Sequence, residues 1–249
     1  IGTYKKLLES GNVEIKKVEK KVVEINPYPP FTTDTLISVL TSNLKIDANY
    51  AMNIAQKLFE NGLITYHRTS STTVSNVGIA LAKDYISSTF GKEFVKERKW
   101  QMEGAHECIR PTRALDVKKL KSMISLGLLR IPSKLNDIDY KAYDIIFKRF
   151  IASQMKSVKV EKTSIKIKIL EEEKDTTEIP EVKEGLYSIK EIKKRLVQVY
   201  HAYTYSEIVS TMKERGIGRP STYAKILEIL KRRKYVIEIR KSVLLVSPL

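Results

Sequence analysis

Residues 12–25, NVEIKKVEKKVVEI, alternate apolar and charged side chains over much of their length. Successive side chains of a strand point to opposite faces, so this alternation predicts a β-strand. Residues 156–170 show the same alternation and predict a second strand. The apolar positions of the two stretches are Val13, Ile15, Val18, Val22, Val158, Val160, Ile165, Ile167 and Ile169. A long helical block separates the two strands, and this arrangement decides the predicted fold.

Helix start and stop signals fill the block between the strands. Pro27, Pro29 and Pro30 end the first strand, because proline has no N–H to donate to a sheet. The predicted signals are N-caps at Thr32 or Thr33, Asp47 and Ser75, stops at Gly62 and Gly91, and a later helix over about 138–155.

The simplest arrangement pairs the two strands in one small sheet, with the helical block inserted between them. The predicted fold class is therefore α+β. Residues 1–26 and 156–186 form the two parts of a β hinge domain, and 27–155 form a helical domain. An insertion attached at two adjacent strands can swing as a unit. The acidic run within 171–180 predicts an exposed turn.

The remaining segment, 187–249, predicts a helix-turn-helix with a winged-helix-like outline. Thr204 and Glu207 form the T-x-x-E capping box of a short helix that ends at Gly216. Ser221 is the predicted cap of a second helix, which runs to about Arg233. YVIEIRKSVLLVS at 235–247 then predicts a hairpin.

Composition points to a polyanionic partner. The chain has 249 residues, 45 Lys plus Arg and 29 Asp plus Glu, which gives a net charge of +16. Cations that neutralise phosphates release condensed counterions, so nucleic acid is the first candidate. A lysine-rich solvated surface or an acidic protein partner would give the same charge. The Lys, Glu and Ile bias also resembles that of heat-adapted proteins.

Several protein classes are excluded by composition. The single cysteine, Cys108, excludes an internal disulfide framework and a cysteine-rich zinc site. No apolar run reaches 18 residues, and the N-terminus lacks the regions of a signal peptide. We therefore expect a soluble, cytoplasmic protein.

The most unusual stretch is GLITYHRTSS at 62–71, which groups hydroxyls, an imidazole and a guanidinium. A tyrosine has a pKa near 10, so forming a phenolate at pH 7 costs about 4 kcal/mol. Arg68 can offset part of this cost and hold a phosphodiester oxygen while Tyr66 attacks phosphorus. The ordinary alternative is a packed aromatic ring beside a surface charge.

Two further stretches combine groups that bind phosphate. GAHECIRPT at 104–112 places His106 and Arg110 where both can contact an anion, although a plain turn would look the same. RGIGRPSTY at 215–223 offers glycines, two arginines and hydroxyls at a helix N-terminus. Its alternative is a helix-helix turn with exposed arginines.

Taken in this order, GLITYHRTSS, GAHECIRPT and RGIGRPSTYA resemble the motifs of the type IA DNA topoisomerases. PPFTTDTL at 29–36 resembles the segment that enters the tyrosine domain of that family, so the likeness spans nearly the whole chain. Tyr-His-Arg-Thr, GAHECIRPT followed by Arg113, and KRFIASQM at 148–155 look closest to the topoisomerase half of reverse gyrase.

The resemblance implies that Tyr66 cleaves a single DNA strand and keeps its 5′ phosphate, after which another strand passes and the break is resealed. Tyr66, Arg68 and His106 would be the catalytic residues. The residues implied to bind DNA are His67, Arg110, Thr112, Arg215, Arg219, Ser221 and Thr222. The family commonly has Arg-Thr-Asp-Ser where this chain has Arg68-Thr69-Ser70-Ser71, which puts the role of that aspartate in doubt.

Other parts of the family pattern are missing from this sequence. Its Toprim domain holds Mg²⁺ with a glutamate and a D-x-D-x-E cluster, but the nearest string, at 137–141, ends in Lys141. We therefore expect no metal site in this chain and Mg²⁺ only through a Toprim partner. No G-x-x-x-x-G-K-[ST] loop occurs, so ATP is expected only at a helicase module. The expected partners are DNA, mainly single-stranded, and Toprim-bearing and helicase-bearing chains or the remainder of a longer polypeptide.

Two other functions compete with this one. A tyrosine recombinase also forms phosphotyrosine, but it places H-x-x-R before a tyrosine near the C-terminus, whereas here Tyr66 comes first and the later motif is H-x-x-x-R. A non-catalytic winged-helix protein that binds single-stranded DNA would explain the charge and the C-terminal pattern. It would leave the tyrosine and histidine motifs without a purpose.

Overall fold

Two units make up the chain, and each combines segments that are distant in sequence. The computed structural model describes residues 12–100, 106–169, 172–176, 183–188, 202–240 and 243–246. One unit joins Ile1–Asn26 to Ser157–Val199, and the other joins Pro27–Lys156 to Tyr200–Leu249.

The first unit contains an antiparallel sheet. Its described strands are β1 (Asn12–Ile25), β2 (Val158–Ile169), β3 (Glu172–Thr176) and β4 (Gly185–Ser188), in the spatial order β3-β2-β1-β4. The two strands predicted from alternation pair with each other, with Ile25 opposite Val158 and Val18 opposite Ile165. Ile15 and Ile165 are buried. Strand β4 crosses the predicted boundary at 186.

Strand β3 corrects the prediction of an exposed turn over 171–180. The register of β3 on β2 sets Lys166 opposite Asp175 and Lys168 opposite Glu173. Strands pair through backbone groups, and charged side chains are common on edge strands. An acidic sequence is therefore compatible with a strand as well as with an exposed turn. The rest of that run lies outside the described residues.

Helices form most of the second unit. In its first segment they are α1 (Thr33–Leu44), α2 (Ala48–Glu60), α3 (Asn76–Thr89), α4 (Val117–Ser125) and α5 (Asp137–Ser153), with a 3₁₀ turn at Lys92–Phe94. The predicted caps are confirmed: Asp47 accepts from Tyr50 N, and Ser75 accepts from Gly78 N. Helix α4 was not predicted, because it is short, rich in lysine and buries Leu120 alone.

The C-terminal segment of this unit has a helix-turn-helix and a small sheet. Its elements are β5 (Tyr203–Thr204), α6 (Tyr205–Glu214), α7 (Tyr223–Arg232), β6 (Val236–Arg240) and β7 (Val243–Val246), with strand order β5-β7-β6. The capping box of Thr204 and Glu207 and the hairpin are confirmed. The second helix begins one residue later than predicted, so Thr222, not Ser221, occupies the N-cap position.

The C-terminal segment shares a hydrophobic core with the first helices. Ile37 of α1 and Ala48 of α2 belong to one buried cluster with Tyr205 and Val209 of α6 and Leu227 of α7. This packing joins residues 200–249 to the helical unit, in contrast to the separate segment 187–249 suggested by the sequence. None of the described helices combines the length and apolar character needed to cross a bilayer.

A buried threonine connects the start of α1 to the tyrosine motif. The Thr33 hydroxyl accepts a hydrogen bond from Thr69 N at 2.8 Å and lies 2.8 Å from the carbonyl oxygen of His67, to which it donates. Thr33 N also donates to Thr69 O at 2.9 Å. These bonds fix the backbone that follows Tyr66, because buried peptide groups must be paired.

We predict that Thr33→Val lowers the free energy of unfolding by about 1–3 kcal/mol, because it leaves the buried Thr69 N–H without its partner. Denaturant unfolding measures this loss. Thr33→Ser keeps the hydroxyl and serves as the control. Equal stability of the Val variant and the parent would mean that this hydroxyl does not hold the motif.

Candidate functional site: the Tyr66 cleft

A helix stop determines where Tyr66 lies. Gly62 adopts a left-handed backbone (φ +67°), Gly62 N donates to Phe59 O at 2.8 Å, and Leu63 N donates to Leu58 O at 3.0 Å. These two bonds form a Schellman motif, which favours glycine because a side chain is disfavoured at positive φ. The chain therefore turns back at the end of α2, and Tyr66 lies beside Phe59 of the last helical turn.

Hydrogen bonds from Thr65, the residue before Tyr66, connect the histidine motif to the tyrosine motif. Thr65 N donates to Arg110 O at 2.9 Å, and the Thr65 hydroxyl donates to Cys108 O at 2.7 Å. Arg110 N donates back to the same hydroxyl at 3.0 Å. These bonds align the two motifs side by side, so the rings of Tyr66 and His106 have centroids 5.4 Å apart.

All three predicted motifs contribute to one cleft of about 280 Å³. Its lining residues are Tyr66, Arg68, Thr69, Ser70, His106, Pro220 and Ser221. Tyr66 is 38% exposed. The wall formed by Pro220 and Ser221 comes from the C-terminal segment, which docks on α1 through an ion pair between Lys213 Nζ and Asp34 Oδ2 at 2.7 Å.

The polar groups in this cleft are available to a ligand. The Tyr66 hydroxyl, the Arg68 guanidinium, the His106 imidazole and the Ser70 and Ser221 hydroxyls make no hydrogen bond or ion pair with any residue that the structure describes. Arg68, Ser70, His106 and Ser221 are also exposed. A nucleophilic hydroxyl beside a free cation and a free imidazole suits chemistry on a phosphodiester.

A family model described as DNA topoisomerase matches residues 2–195 and 168–248. The chain belongs to the type IA DNA topoisomerases. It is 46% identical over 245 residues to reverse gyrase 1 of Aquifex aeolicus and 42% identical over 256 residues to reverse gyrase of Pyrococcus furiosus. These alignments cover 91% and 94% of this chain but 21% of each relative, so the chain spans about a fifth of the length of the curated relatives it matches.

A solved structure supports the same family. The full-length topoisomerase I from Thermotoga maritima superposes with a TM-score of 0.73 and 29% identity, covering 97% of this chain and 44% of that one. The reverse gyrase branch suggested by the sequence agrees with the relatives found.

Arg110 of this topoisomerase chain is buried, and its guanidinium is hydrogen-bonded within the protein. The side chain is 6% exposed, and its Nε and Nη2 atoms donate to Glu107 Oε2 and Oε1 at 2.8 and 2.9 Å. A Cβ at Gly78 would lie 2.8 Å from Arg110 Nε, so glycine in α3 makes room for the guanidinium. These contacts hold the histidine motif in place, and the DNA contact assigned to Arg110 stays a prediction. Glu107 and Gly78 were not among the predicted site residues, although the spacing of Glu107 and Arg110 is a signal for an ion pair.

The other residues assigned to DNA binding occupy varied positions. The Thr112 hydroxyl donates to Gly62 O at 2.6 Å and so supports the turn before Tyr66. The Thr222 hydroxyl accepts from Arg219 N at 2.8 Å, which fixes the helix-helix turn. The side chains of Arg215 and Arg219 are exposed outside the residues that line the cleft.

The acidic string nearest to a metal motif has a structural role. Asp139 is buried at the start of α5, where its Oδ2 atom accepts from Asn136 N at 2.8 Å and from Lys57 Nζ at 2.6 Å.

The residues that line the Tyr66 cleft include no carboxylate, which Mg²⁺ prefers as a ligand, so this donor set does not fit that ion. In the described part of the chain, no three or more His, Cys, Asp or Glu side chains group as metal ligands.

His67 is fully buried beside the ring of Tyr66, and the DNA contact assigned to it stays a prediction that this burial does not favour. Both ring nitrogens lack a hydrogen-bond partner within the described residues. Burial, assisted by the positive charge of Arg68, lowers the pKa of His67 from 6.5 to about 4, and Glu60 opposes this shift. The imidazole is therefore neutral at physiological pH and behaves as an aromatic ring.

We predict that His67→Phe is at least as stable as the parent at pH 8, because it removes two buried polar atoms without partners. Below pH 6.5 the unfolded parent binds a proton that the folded parent does not bind until about pH 4. The parent therefore loses up to about 1.4 kcal/mol per pH unit over this window relative to the variant. Unfolding measured from pH 8 to 4 tests this. A stability difference that does not change with pH would contradict it.

Proposed function

We propose that this chain is the catalytic-tyrosine part of a type IA DNA topoisomerase of the reverse gyrase kind, and that it cleaves single-stranded DNA through a 5′-phosphotyrosine. The observation that supports the proposal most directly is the convergence of an unpartnered Tyr66 hydroxyl with the exposed Arg68 and His106 in one cleft. Tyr66 and His106 are 40 residues apart in the sequence, yet their ring centroids lie 5.4 Å apart.

In the proposed reaction, Tyr66 Oη forms a bond to a DNA phosphorus while the bond from phosphorus to the 3′ oxygen breaks. The phenol loses its proton and the departing 3′ oxygen gains one, with His106 beside Tyr66 as the group that can transfer it. The Arg68 guanidinium holds a non-bridging oxygen, where negative charge concentrates in the transition state. Attack of the same 3′ hydroxyl on the phosphotyrosine reverses each step and reseals the strand.

The DNA strand is proposed to lie along the C-terminal wall of the cleft. Ser221 lines this wall, and Thr222, Arg215 and Arg219 are exposed close to it in sequence. These groups contact backbone phosphates and do not read base edges, so we expect weak sequence preference and an affinity that falls with salt.

Strand passage and resealing are proposed to need more than this chain. The carboxylate-free lining of the cleft leads us to assign Mg²⁺ to a Toprim domain, supplied by a partner chain or by the remainder of a longer polypeptide. ATP is assigned in the same way to a helicase module. No step proposed above depends on either of them.

We predict that Tyr66→Phe abolishes the covalent DNA adduct and leaves noncovalent binding of single-stranded DNA nearly unchanged, because it removes one hydroxyl and no charge. The test incubates the chain with end-labelled oligonucleotide, Mg²⁺ and a Toprim-bearing partner, and resolves adducts on denaturing gels. A 3′-linked adduct would instead identify a recombinase-like reaction. The absence of any adduct with the parent would favour a DNA-binding protein without catalysis.

We predict that Arg68→Ala reduces the rate of cleavage at least about 100-fold and changes DNA affinity little, because a contact to the scissile phosphate acts mainly in the transition state. Arg130→Ala, which removes an exposed arginine outside the cleft lining, is the matched control. Single-turnover cleavage and equilibrium binding separate the two effects. Equal losses in rate and affinity would make Arg68 an ordinary binding residue.

A further inference from the structure

The phenol ring of Tyr66 is held by other rings and by no hydrogen bond. Its hydroxyl has no partner in the described part of the chain, and residue 66 lies outside the regular helices and strands. The ring instead has its centroid 5.4 Å from that of Phe59, 5.5 Å from that of His67 and 5.4 Å from that of His106. The planes meet at 61° to 69°, which is the edge-to-face geometry that aromatic pairs prefer.

These three neighbours differ in what else they can do. His106 is exposed and lines the cleft, so it is available to the phosphate. Phe59 carries no polar group, and its Cα is fixed by the Schellman motif that ends α2. His67 is buried with no hydrogen-bond partner among the described residues, and its ring also contacts Phe59, with centroids 5.9 Å apart. Phe59, which is 37% exposed, and the buried His67 therefore form a continuous pair of rings that contacts the ring of Tyr66.

We infer that Phe59 and His67 are positioning residues that orient the phenol of Tyr66 for in-line attack on the phosphodiester. This inference rests on the proposed function, because it assigns a role to two further residues of the same site. Neither residue touches the DNA in this role. They act through the ring of Tyr66.

The size of the expected effect follows from the geometry. Each edge-to-face contact favours one orientation of the phenol ring over the others. A tyrosine side chain that loses such a contact rotates more freely about its first two torsions, and a displacement of about 1 Å at the attacking oxygen costs as much as 100-fold in rate. We therefore expect losses in cleavage of about tenfold to 100-fold, with DNA binding unaffected.

The first test compares two substitutions of Phe59. Phe59→Leu keeps an apolar side chain of helical propensity but removes the ring, whereas Phe59→Tyr keeps the ring. The matched control is Phe90→Leu, since Phe90 makes a similar edge contact with Tyr85 at 6.4 Å and 65° and does not line the cleft. Single-turnover cleavage, affinity for single-stranded DNA and the free energy of unfolding are measured for each, in the presence of the Toprim-bearing partner.

The expected result is slow cleavage with Phe59→Leu at unchanged affinity, and near-normal cleavage with Phe59→Tyr and Phe90→Leu. A purely structural role would lower stability without changing the rate per folded molecule. That outcome overturns the inference. A loss of affinity equal to the loss of rate also overturns it, because Phe59 would then be a stacking platform for a base.

The second test uses His67 and is independent of the end of α2. His67→Phe preserves a ring in the same place and should cleave normally, whereas His67→Leu should lose cleavage to the same extent as Phe59→Leu. Slow cleavage by His67→Phe would show that the imidazole nitrogens are needed and would overturn the inference.

Formation of the Tyr66 adduct distinguishes failure of the proposed function from failure of the positioning role. If the parent forms no adduct that depends on Tyr66, the proposed function is wrong. If the parent forms that adduct and Phe59→Leu forms it equally fast, the proposed function stands and the positioning role of Phe59 is wrong.

Discussion

The site depends on one constraint, which is that buried peptide groups must be hydrogen-bonded even where the chain forms no regular strand. Three such stretches meet beside Tyr66. Ile109 N donates to Phe31 O at 2.8 Å, Thr112 N donates to Leu63 O at 3.0 Å, and Thr33 N donates to Thr69 O at 2.9 Å. Two threonine hydroxyls pair further backbone groups in these stretches. The Thr33 hydroxyl accepts from Thr69 N, and the Thr65 hydroxyl accepts from Arg110 N and donates to Cys108 O. The meeting of Tyr66 and His106, 40 residues apart, is a consequence of this pairing.

Two arginines in this region differ in burial and therefore in whether their charge is available to a ligand. Arg110 is enclosed, and Glu107 compensates its charge through two hydrogen bonds, because an unpaired buried cation would be strongly destabilising. Arg68 is exposed and has no ion pair with any described residue, so its charge remains available to an anion. The Arg110–Glu107 pair supports the histidine motif from the interior, and the exposed Arg68 lines the cleft.

Local signals predicted much of the fold, and burial explains most of what they missed. The caps at Thr32, Asp47 and Thr204 depend on residues within one helical turn, so the sequence displays them directly. Strand β3 depends on its partner β2, and the pairing that defines it is not visible within its own acidic residues.

The candidate site shows the same division between local and distant causes. The sequence identified Tyr66, Arg68, His106 and Ser221 as members of one site, and the structure brings them to one cleft. It did not reveal that Arg110 and His67 face inward, because their burial depends on α3 and α2, which lie elsewhere in the chain.

The cleft also depends on how the C-terminal segment packs against α1. Pro220 and Ser221 form one wall, and their position follows from the Lys213–Asp34 ion pair, a contact between the Ser38 and Ser206 hydroxyls at 2.5 Å, and the burial of Ile37 against α6. The cleft between this wall and Tyr66 has a volume of about 280 Å³. Because Ile37 and Ala48 share one buried apolar cluster with Tyr205 and Val209, this wall of the cleft packs as part of the same unit as α1.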